Sequence, residues 1–345
     1  RANFVAFLAE RDPEQPFCYW YGPTNVHRKW VRGSGKALWG IDPDTLRGKL
    51  PPFLPDVPTI REDLADYLGE VQAFDASLGV LLEELDRAGL YDNTLIAVSG
   101  DHGPAGFPHG KCNLYDFGSQ VALAVAGPNV QGGRVVDDFV SLPDLAPTFL
   151  ESAGVAIPGQ MTATSLWPVL TAVGQGQIDP QRSRVFMGRE RHVEMAREGY
   201  LPYPQRAIRT ADYSLVINFK PDRYPLGDPY RLHGDNPPTK DELTEVTFVT
   251  LPDEDAGPTK AWMVEHRDDP QWQSLFENAY GKRPREELFD MRKDPHQMYN
   301  VASDPTYADV LIDLRERLMG ELRSSGDPRV VDDGEFFETP PMAGP

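Results

Sequence analysis

The feature that most constrains the fold is a short apolar segment, Thr94 to Val98, which is followed at once by polar residues. It is partly β-branched and bounded by Asn93 before it and Ser-Gly after it, which predicts a buried strand of a parallel sheet. Ligands of open α/β sheets bind just outside the carboxyl ends of strands. Asp101 and His102 follow that end, and a carboxylate beside an imidazole predicts metal ligation. An ordinary surface loop is the alternative for this dipeptide taken alone.

The loop after this pair adds two more chemically useful side chains. Glycines at positions 100, 103 and 106 let the backbone turn closely. His109 and Lys111 follow as a potential proton donor and a fixed positive charge. A metal, a cation and an imidazole close together suit a substrate whose transferring group is anionic, such as sulfate or phosphate.

The segments around this strand predict an α/β fold. Apolar residues recur at helical spacing from Thr59 to Ala88, and Thr59 with Glu62 has the pattern of a capping box. This helix is expected to cross back to the strand at Thr94 in a βαβ connection. Phe17–Tyr21 and Val121–Ala126 are predicted to join the same mostly parallel sheet, which helices flank.

The second half of the chain has a different pattern, and we place a domain boundary near residue 175. Residues 1–175 are predicted to form part of a large α/β domain, and residues 176–345 a smaller α+β domain with an antiparallel sheet. Arg206–Thr210 and Tyr213–Phe219 flank Ala211-Asp212 as a hairpin. The polar stretch Asp222–Pro270 is predicted to be irregular. The acidic tail from Ser324 is predicted to be extended or partly disordered.

Charge and composition limit the partners. The formal net charge is −19, from 34 basic and 53 acidic residues, which argues against nucleic acid, because that partner needs a basic footprint. An acidic protein that handles an anionic substrate must concentrate positive charge locally, and a metal with Lys111 would do so. No apolar run approaches the length of a membrane span, and no signal peptide is visible. The sequence leaves the oligomeric state open, a homo-oligomer included.

Three motifs in order give the chain a family resemblance. The first is G-L-Y-D-N-T-L-I-A-V-S-G-D-H-G at 89–103, the second L-P-D-L-A-P-T at 142–148, and the third E-L-F-D-M-R-K-D-P-H-Q-M-Y-N-V-A at 287–302. Together they resemble the sulfatase family, within the alkaline-phosphatase-like superfamily. The segments G-P-T-N-V-H-R-K-W at 22–30 and Q-R-A-I-R-T-A-D-Y-S-L-V-I-N-F at 205–219 are most similar to the heparan N-sulfatase (sulfamidase) type.

The resemblance implies a reaction and a set of requirements for it. It implies hydrolysis of a sulfate ester or a sulfamate, at an S–O or S–N bond, on a sulfated sugar or another anionic sulfated small molecule. It also implies a formylglycine nucleophile and a divalent metal, with calcium favoured and magnesium or manganese as alternatives. A periplasmic or extracellular location is the one that the family favours.

The resemblance also implies roles for particular residues. Asp101 and His102 would be metal-site residues. Lys111 would contact the sulfate, and His27 the sulfate or the leaving group, which makes these two the expected catalytic residues. Without the resemblance, His27 would be read as a loop histidine with no role.

Three further residues are expected to bind substrate. His109 is one, although the sulfamidase-like pattern does not require a histidine there. Glu190 and His192 are expected to reach the pocket from the second domain. A charged edge strand with no role in the site is the alternative for Glu190 and His192.

One family motif is absent. Sulfatases carry C-x-P-x-R or S-x-P-x-R, whose Cys or Ser becomes formylglycine, and neither version occurs here; Cys18 and Cys112 stand in other contexts. The family's early pair of metal-binding aspartates is also missing. We therefore expect the chain to correspond to the later two-thirds of a sulfatase, with the nucleophile outside it. A phosphodiesterase or phosphonate hydrolase of the same superfamily, or a non-catalytic binding protein with a degenerate site, remains as an alternative.

Overall fold

A computed structural model describes residues 1–339. The helices of this part of the chain are α1 (Ala2–Glu10), α2 (Ser34–Trp39), α3 (Pro58–Arg87), α4 (Asp116–Ser119), α5 (Leu145–Ser152), α6 (Trp167–Thr171), α7 (Lys240–Glu245), α8 (Pro258–Glu265), α9 (Gln273–Tyr280), α10 (Ala308–Ser324), α11 (Pro328–Val331) and α12 (Glu335–Glu338). The strands are β1 (Ile96–Ser99), β2 (Leu123–Ala126), β3 (Arg184–Arg189), β4 (Gln205–Thr210), β5 (Tyr213–Asn218) and β6 (Glu286–Asp290).

Helix α3 is the longest element, and the predicted helix is confirmed within about one residue at each end. Its start differs from the prediction, because the capping box of Thr59 and Glu62 does not form. Pro58 occupies the first turn instead, where its missing N–H costs nothing. Glu62 accepts a hydrogen bond from Arg32 at 2.7 Å. Gly89, with φ of +67°, follows the C-terminal end in the left-handed conformation.

The predicted parallel sheet is wrong for these strands. β1 pairs with β2 antiparallel, Ile96 opposite Ala126, and the two form a sheet of their own. Residues 17–21 form no strand and belong to no sheet, and Trp20 is 88% exposed. The segment between β1 and β2 explains why they pair antiparallel, since two parallel strands need a crossover connection, which is usually a helix. Residues 100–122 instead fold back on themselves, with the Gly103 N–H donating to the Gly118 carbonyl at 2.9 Å.

The later strands form the antiparallel sheet that the sequence predicts. The strand order is β3-β4-β5-β6, so β3 and β6 are its two edges. Helix α10 packs on one face through the leucines at positions 311, 314, 318 and 322. Burial of each such side chain contributes about 1.5–3 kcal/mol.

The largest hydrophobic core joins early and late parts of the chain. Phe53, Ile60 and Phe107 share one buried cluster with residues of α7, α8 and α9. Residues 222–270, predicted to be irregular, are so for the most part, but they also contain the short helices α7 and α8. Most of helix α8 is buried, and a short helix buried all round shows no polar face and hence no amphipathic period.

The C-terminal segment also differs from its prediction. It forms the short helices α11 and α12 rather than an extended tail. The last part of that tail, residues 340–345, lies outside the described residues. None of the helices in residues 1–339 combines the length and the apolar composition that crossing a membrane requires.

Candidate active site

Asp101 and His102 lie together just after β1. The Asp101 Oδ2 atom is 3.3 Å from the His102 Nε2 atom, so the two side chains converge as predicted rather than pointing apart. Both are accessible to solvent. A carboxylate and an imidazole that converge on one point are groups of the kind that bind divalent metals.

The hydrogen bonds around His102 indicate which ring nitrogen carries the proton. The Nδ1 atom is 2.7 Å from the Gly103 carbonyl oxygen, which can only accept, so the proton resides on Nδ1. In the neutral ring Nε2 is then an acceptor, and it faces another acceptor, the Asp101 carboxylate. Two facing acceptors are stabilised when a cation or a proton lies between them, and a backbone carbonyl that orients an imidazole is common at metal sites.

Two donors do not complete a metal site. Across residues 1–339 no group of three or more His, Cys, Asp or Glu side chains is gathered closely enough to hold a metal ion. Calcium takes six to eight oxygen ligands. Asp101 and His102 therefore fit a divalent cation in kind but not in number.

Lys111 pairs with an acidic residue that the sequence analysis did not single out. Its Nζ atom lies 3.2 Å from Asp255 Oδ2, at ion-pair distance but without hydrogen-bond geometry. The lysine side chain is only 10% exposed. Because the two charges are partly withdrawn from water, their attraction is stronger than that of a surface pair. A ligand anion at Lys111 would have to compete with this carboxylate.

Asp253 and Arg189 connect the segment of His192 to the loop of Lys111. The Asp253 carboxylate accepts from Arg189 at 2.6 Å and from the backbone N–H of Val193 at 2.9 Å, one contact on each side of His192. Arg189 also donates to the carbonyl of Cys112, the residue after Lys111, at 2.5 Å. The loop of Lys111 and the segment of His192 are thus joined through shared partners.

The charges of this cluster are mutually adjusted. Partial burial and then the positive charge of Lys111 lower the pKa of His192 below its ordinary value. Burial opposes ionisation of Asp253, yet the guanidinium groups of Arg189 and Arg197 hold its pKa below the usual range. The cluster therefore contains an ionised aspartate and, near neutral pH, an uncharged imidazole within the electrostatic influence of a lysine.

His27 is exposed, and its neighbour anchors it firmly. Arg28 makes a two-pronged ion pair with Asp63, at 2.9 and 2.7 Å, and donates to the Ala105 carbonyl at 2.8 Å. Its guanidinium also lies 4.0 Å from the centre of the Trp30 ring. Arg28, and with it the backbone of His27, is thereby held next to the glycine-rich loop. That His27 and Lys111 face each other across one anion pocket stays a prediction.

His109 lies in the core and not at a surface. It is 1% exposed and stacks on the Phe53 ring at 4.4 Å, while its Nε2 atom is 2.8 Å from Asn278 Oδ1. Burial and the nearby Arg283 lower the pKa of His109 to about 3. This position leaves no surface for the expected substrate contact, so we do not include His109 in the site.

Glu190 is engaged in ion pairs away from Lys111. Its carboxylate lies 2.8 Å from Arg206 and 2.6 Å from Arg329. The geometry agrees with the alternative reading of a charged edge strand for this residue. A carboxylate held by two arginines has little capacity left for a sugar hydroxyl.

Sequence reasoning missed Asp253 and Asp255. They flank Glu254 in a run of three acidic residues within a stretch that shows no periodicity. Such a run usually indicates a solvated surface, and only the folded structure shows that Asp253 is buried among arginines. The run itself was the only available signal, and it is weak.

The fold is one shared with solved sulfatase-like structures. A structure from work on glycosaminoglycan metabolism by Bacteroides thetaiotaomicron aligns with 99% of this chain and 61% of its own, with a TM-score of 0.64 and 19% identity. A phosphonate monoester hydrolase from Silicibacter pomeroyi aligns with 87% of this chain and 51% of its own, with a TM-score of 0.51 and 21% identity. At these identities the likeness shows the fold alone.

Sequence comparison adds a matching family model and a similar human protein. Residues 2–155 match the family model "Sulfatase", and this segment belongs to the sulfatase family. The chain is also 31% identical to the N-sulphoglucosamine sulphohydrolase of Homo sapiens over 327 residues, covering 89% of this chain and 58% of the human protein. The chain thus spans little more than half the length of this relative.

Proposed function

We propose that the chain is part of a sulfatase-type hydrolase that cleaves a sulfate ester or sulfamate on a sulfated sugar. The observation that carries this proposal is the 31% identity to an N-sulphoglucosamine sulphohydrolase across 89% of the chain. The site supports it, because Lys111 and His192 provide a cation and an imidazole next to a glycine-rich loop.

In this proposal Lys111 holds the sulfo group. A lysine acts as a compact point charge with three donors, and its partial burial strengthens its attraction for an anion. Asp255 would lose its pairing to Lys111 when the sulfo group arrives. His27 and His192 then remain to contact the sulfo group or the leaving oxygen or nitrogen, which needs a proton when the bond breaks.

We further propose that Asp101 and His102 are two ligands of a divalent metal. Calcium is favoured by the family, with magnesium or manganese as alternatives, and the metal would neutralise the sulfo oxygens. The facing acceptors of this pair support the proposal, but their number requires further ligands from outside the described residues. The formylglycine nucleophile is likewise proposed to lie outside this chain, so we route no reaction step through either group.

Two alternatives follow from the same fold. A phosphonate monoester hydrolase shares it, so this chain could belong to a phosphodiesterase or phosphonate hydrolase; sulfamate and phosphonate ligands compared at equal concentration separate the two functions. A non-catalytic binding protein would bind the sulfated sugar without ever being part of a hydrolase. The family favours a periplasmic or extracellular location, which stays a proposal.

The test is ligand binding to this chain, because binding does not need the nucleophile. Titration calorimetry would compare N-sulfoglucosamine with N-acetylglucosamine, with and without calcium. Binding is expected for the sulfated sugar alone, and calcium should change it little, because Asp101 and His102 do not complete a metal site in this chain.

Lys111→Met gives the decisive comparison. A hydrogen bond to a charged group contributes about 1.5–3 kcal/mol, so the Kd for N-sulfoglucosamine should rise roughly 10- to 150-fold. Lys29→Met is the matched control, because Lys29 is exposed and pairs with Glu245. Unchanged binding in Lys111→Met, or equal binding of N-acetylglucosamine, would remove the proposed pocket.

A further inference from the structure

The exit from β3 is held by the C-terminal part of the chain. Glu190 follows the strand directly, and its carboxylate lies 2.6 Å from Arg329 Nη2 on helix α11. Arg329 is 3% exposed, so this contact is withdrawn from solvent. We call residues 327–338 the C-terminal clasp.

Several ion pairs close the clasp over the sheet. Arg206, on β4, donates to Asp327 at 2.7 and 3.0 Å and also pairs with Glu190 at 2.8 Å. Arg329 pairs with Glu338 at 2.7 Å, and Glu338 pairs with Arg223 at 2.7 Å. Each guanidinium is matched by carboxylates. Removing one member of such a buried network leaves an uncompensated charge, which is far more disruptive than losing an exposed pair.

The glycine in the turn of the clasp shows how closely it fits. A Cβ atom at Gly334 would lie 2.4 Å from the guanidinium carbon of Arg329, and the glycine has φ of +72°. The guanidinium also lies 5.6 Å from the ring centre of Phe337. The turn therefore wraps around Arg329, which is held from both sides of the segment.

The clasp and the pocket hold the same short piece of chain. Asp253 binds Arg189 and the Val193 N–H, as described above, and the clasp binds Glu190 between them. His192 lies in this piece, two residues beyond Glu190. The backbone that carries His192 is thus held by Asp253, through Arg189 and Val193, and by Arg329, through Glu190.

We propose that Arg329 is a positioning residue of the site, which holds Glu190 and thereby fixes the short segment that carries His192. The effect that this positioning would have on ligand binding rests on the proposed function; the positioning itself does not. Glu190, expected from the sequence to touch substrate, acts here as the point at which the clasp is fastened. Loss of the contact would release one of the two anchors of the His192 segment.

The experiment compares three variants of the whole chain. Arg329→Met removes the guanidinium but keeps an unbranched side chain, and Glu190→Gln removes only the carboxylate charge. Arg315→Met is the matched control, because Arg315 makes a two-pronged pair with Glu286 at 2.5 and 2.8 Å on β6, the opposite edge of the same sheet. Both arginine variants lose an arginine–glutamate pair, and only one of these pairs adjoins His192.

The primary readout is the imidazole resonance of His192 in an NMR pH titration, assigned with His192→Gln. In Arg329→Met and Glu190→Gln the pKa of His192 should move up toward its ordinary value, since a released segment takes the already exposed ring away from the positive charge of Lys111. The Val193 amide, which donates to Asp253, should exchange with solvent roughly tenfold faster or more. Arg315→Met should produce neither change and should affect the melting temperature little, because its ion pair is partly exposed.

The outcomes separate this inference from the proposed function. An unchanged His192 titration in a folded Arg329→Met or Glu190→Gln protein overturns the positioning role, even if the wild-type chain binds N-sulfoglucosamine. The same shift in Arg315→Met would also overturn it, because the effect would then be general destabilisation. If Arg329→Met does not fold, Glu190→Gln decides, since Arg206 and Arg329 both keep a second carboxylate partner in it. A wild-type chain that fails to bind the sulfated sugar refutes the proposed function and leaves the His192 comparison intact.

Discussion

The buried imidazole of His109 should make the stability of the protein depend on pH, and His109→Gln should reduce that dependence. The ring is packed between Phe53 and Tyr115. Its Nδ1 atom has no hydrogen-bond partner among the described residues. A proton on Nδ1 would therefore be a buried charge without a partner, while the same proton costs nothing in the unfolded chain.

The sign and the size follow from the two pKa values. The folded pKa is about 3, and the unfolded one is about 6.5. Between these values the unfolded chain binds one proton more, so the free energy of unfolding is complete above the unfolded value and decreases as the pH falls toward 3. For one such group linkage gives a loss of about 2 kcal/mol between pH 7 and pH 5, and roughly 4–5 kcal/mol if the protein stayed folded to pH 3.

Urea unfolding at pH 7, 6 and 5, followed by tryptophan fluorescence, measures this. Wild type should lose about 2 kcal/mol more than His109→Gln over that interval. His233→Gln is the control, because His233 faces solvent and its removal relieves no burial. Parallel pH profiles for wild type and His109→Gln would refute the account and mean that the ring is accessible to protons.

Two further predictions test local packing. A Cβ atom at Gly103 would lie 1.8 Å from the Phe117 carbonyl oxygen, so Gly103→Ala should lower the free energy of unfolding by about 1–3 kcal/mol or more. Gly132→Ala is the control, because a Cβ atom there meets nothing within 4 Å. Equal stability of the two variants would contradict the loop geometry. Burial raises the pKa of the Cys112 thiol to about 12. A thiol reagent at pH 8 should therefore label only the exposed Cys18 rapidly in the native protein, and both cysteines in denaturant. Rapid labelling of two thiols in the native state would show that Cys112 is accessible.

The sequence predicted elements better than it predicted their pairing. Helix α3 and the β4–β5 hairpin have strong local signals, a long apolar period in one case and two β-rich runs around a short turn in the other. The direction of β1 against β2 has no such signal. It depends on how residues 100–122 fold, and the close backbone contact of Gly103 with Gly118 is a property of the folded loop.

In the site too, local features could be predicted from the sequence and long-range pairings could not. Asp101 and His102 converge because they are adjacent at a strand end, which the sequence reveals. The pairing of Lys111 with Asp255 joins residues far apart in the chain through a stretch without periodicity, so no pattern indicated it. Glu190 and His192 look equivalent in the sequence as charged residues after β3. Only the tertiary contacts show that Glu190 pairs with Arg329, while the segment of His192 is held by Asp253.

The core that unites Phe53, Ile60 and Phe107 with helices α7 to α9 has a consequence for how the chain acquires its structure during synthesis. The ribosome would release Phe53 and Ile60 long before α9 exists, so their apolar surface waits for more than 200 further residues. At ordinary elongation rates this takes roughly ten to forty seconds. Contacts of such long sequence separation form slowly. A nascent chain halted near residue 175 would expose these side chains, which makes it a substrate for chaperones and a poor choice for expression on its own.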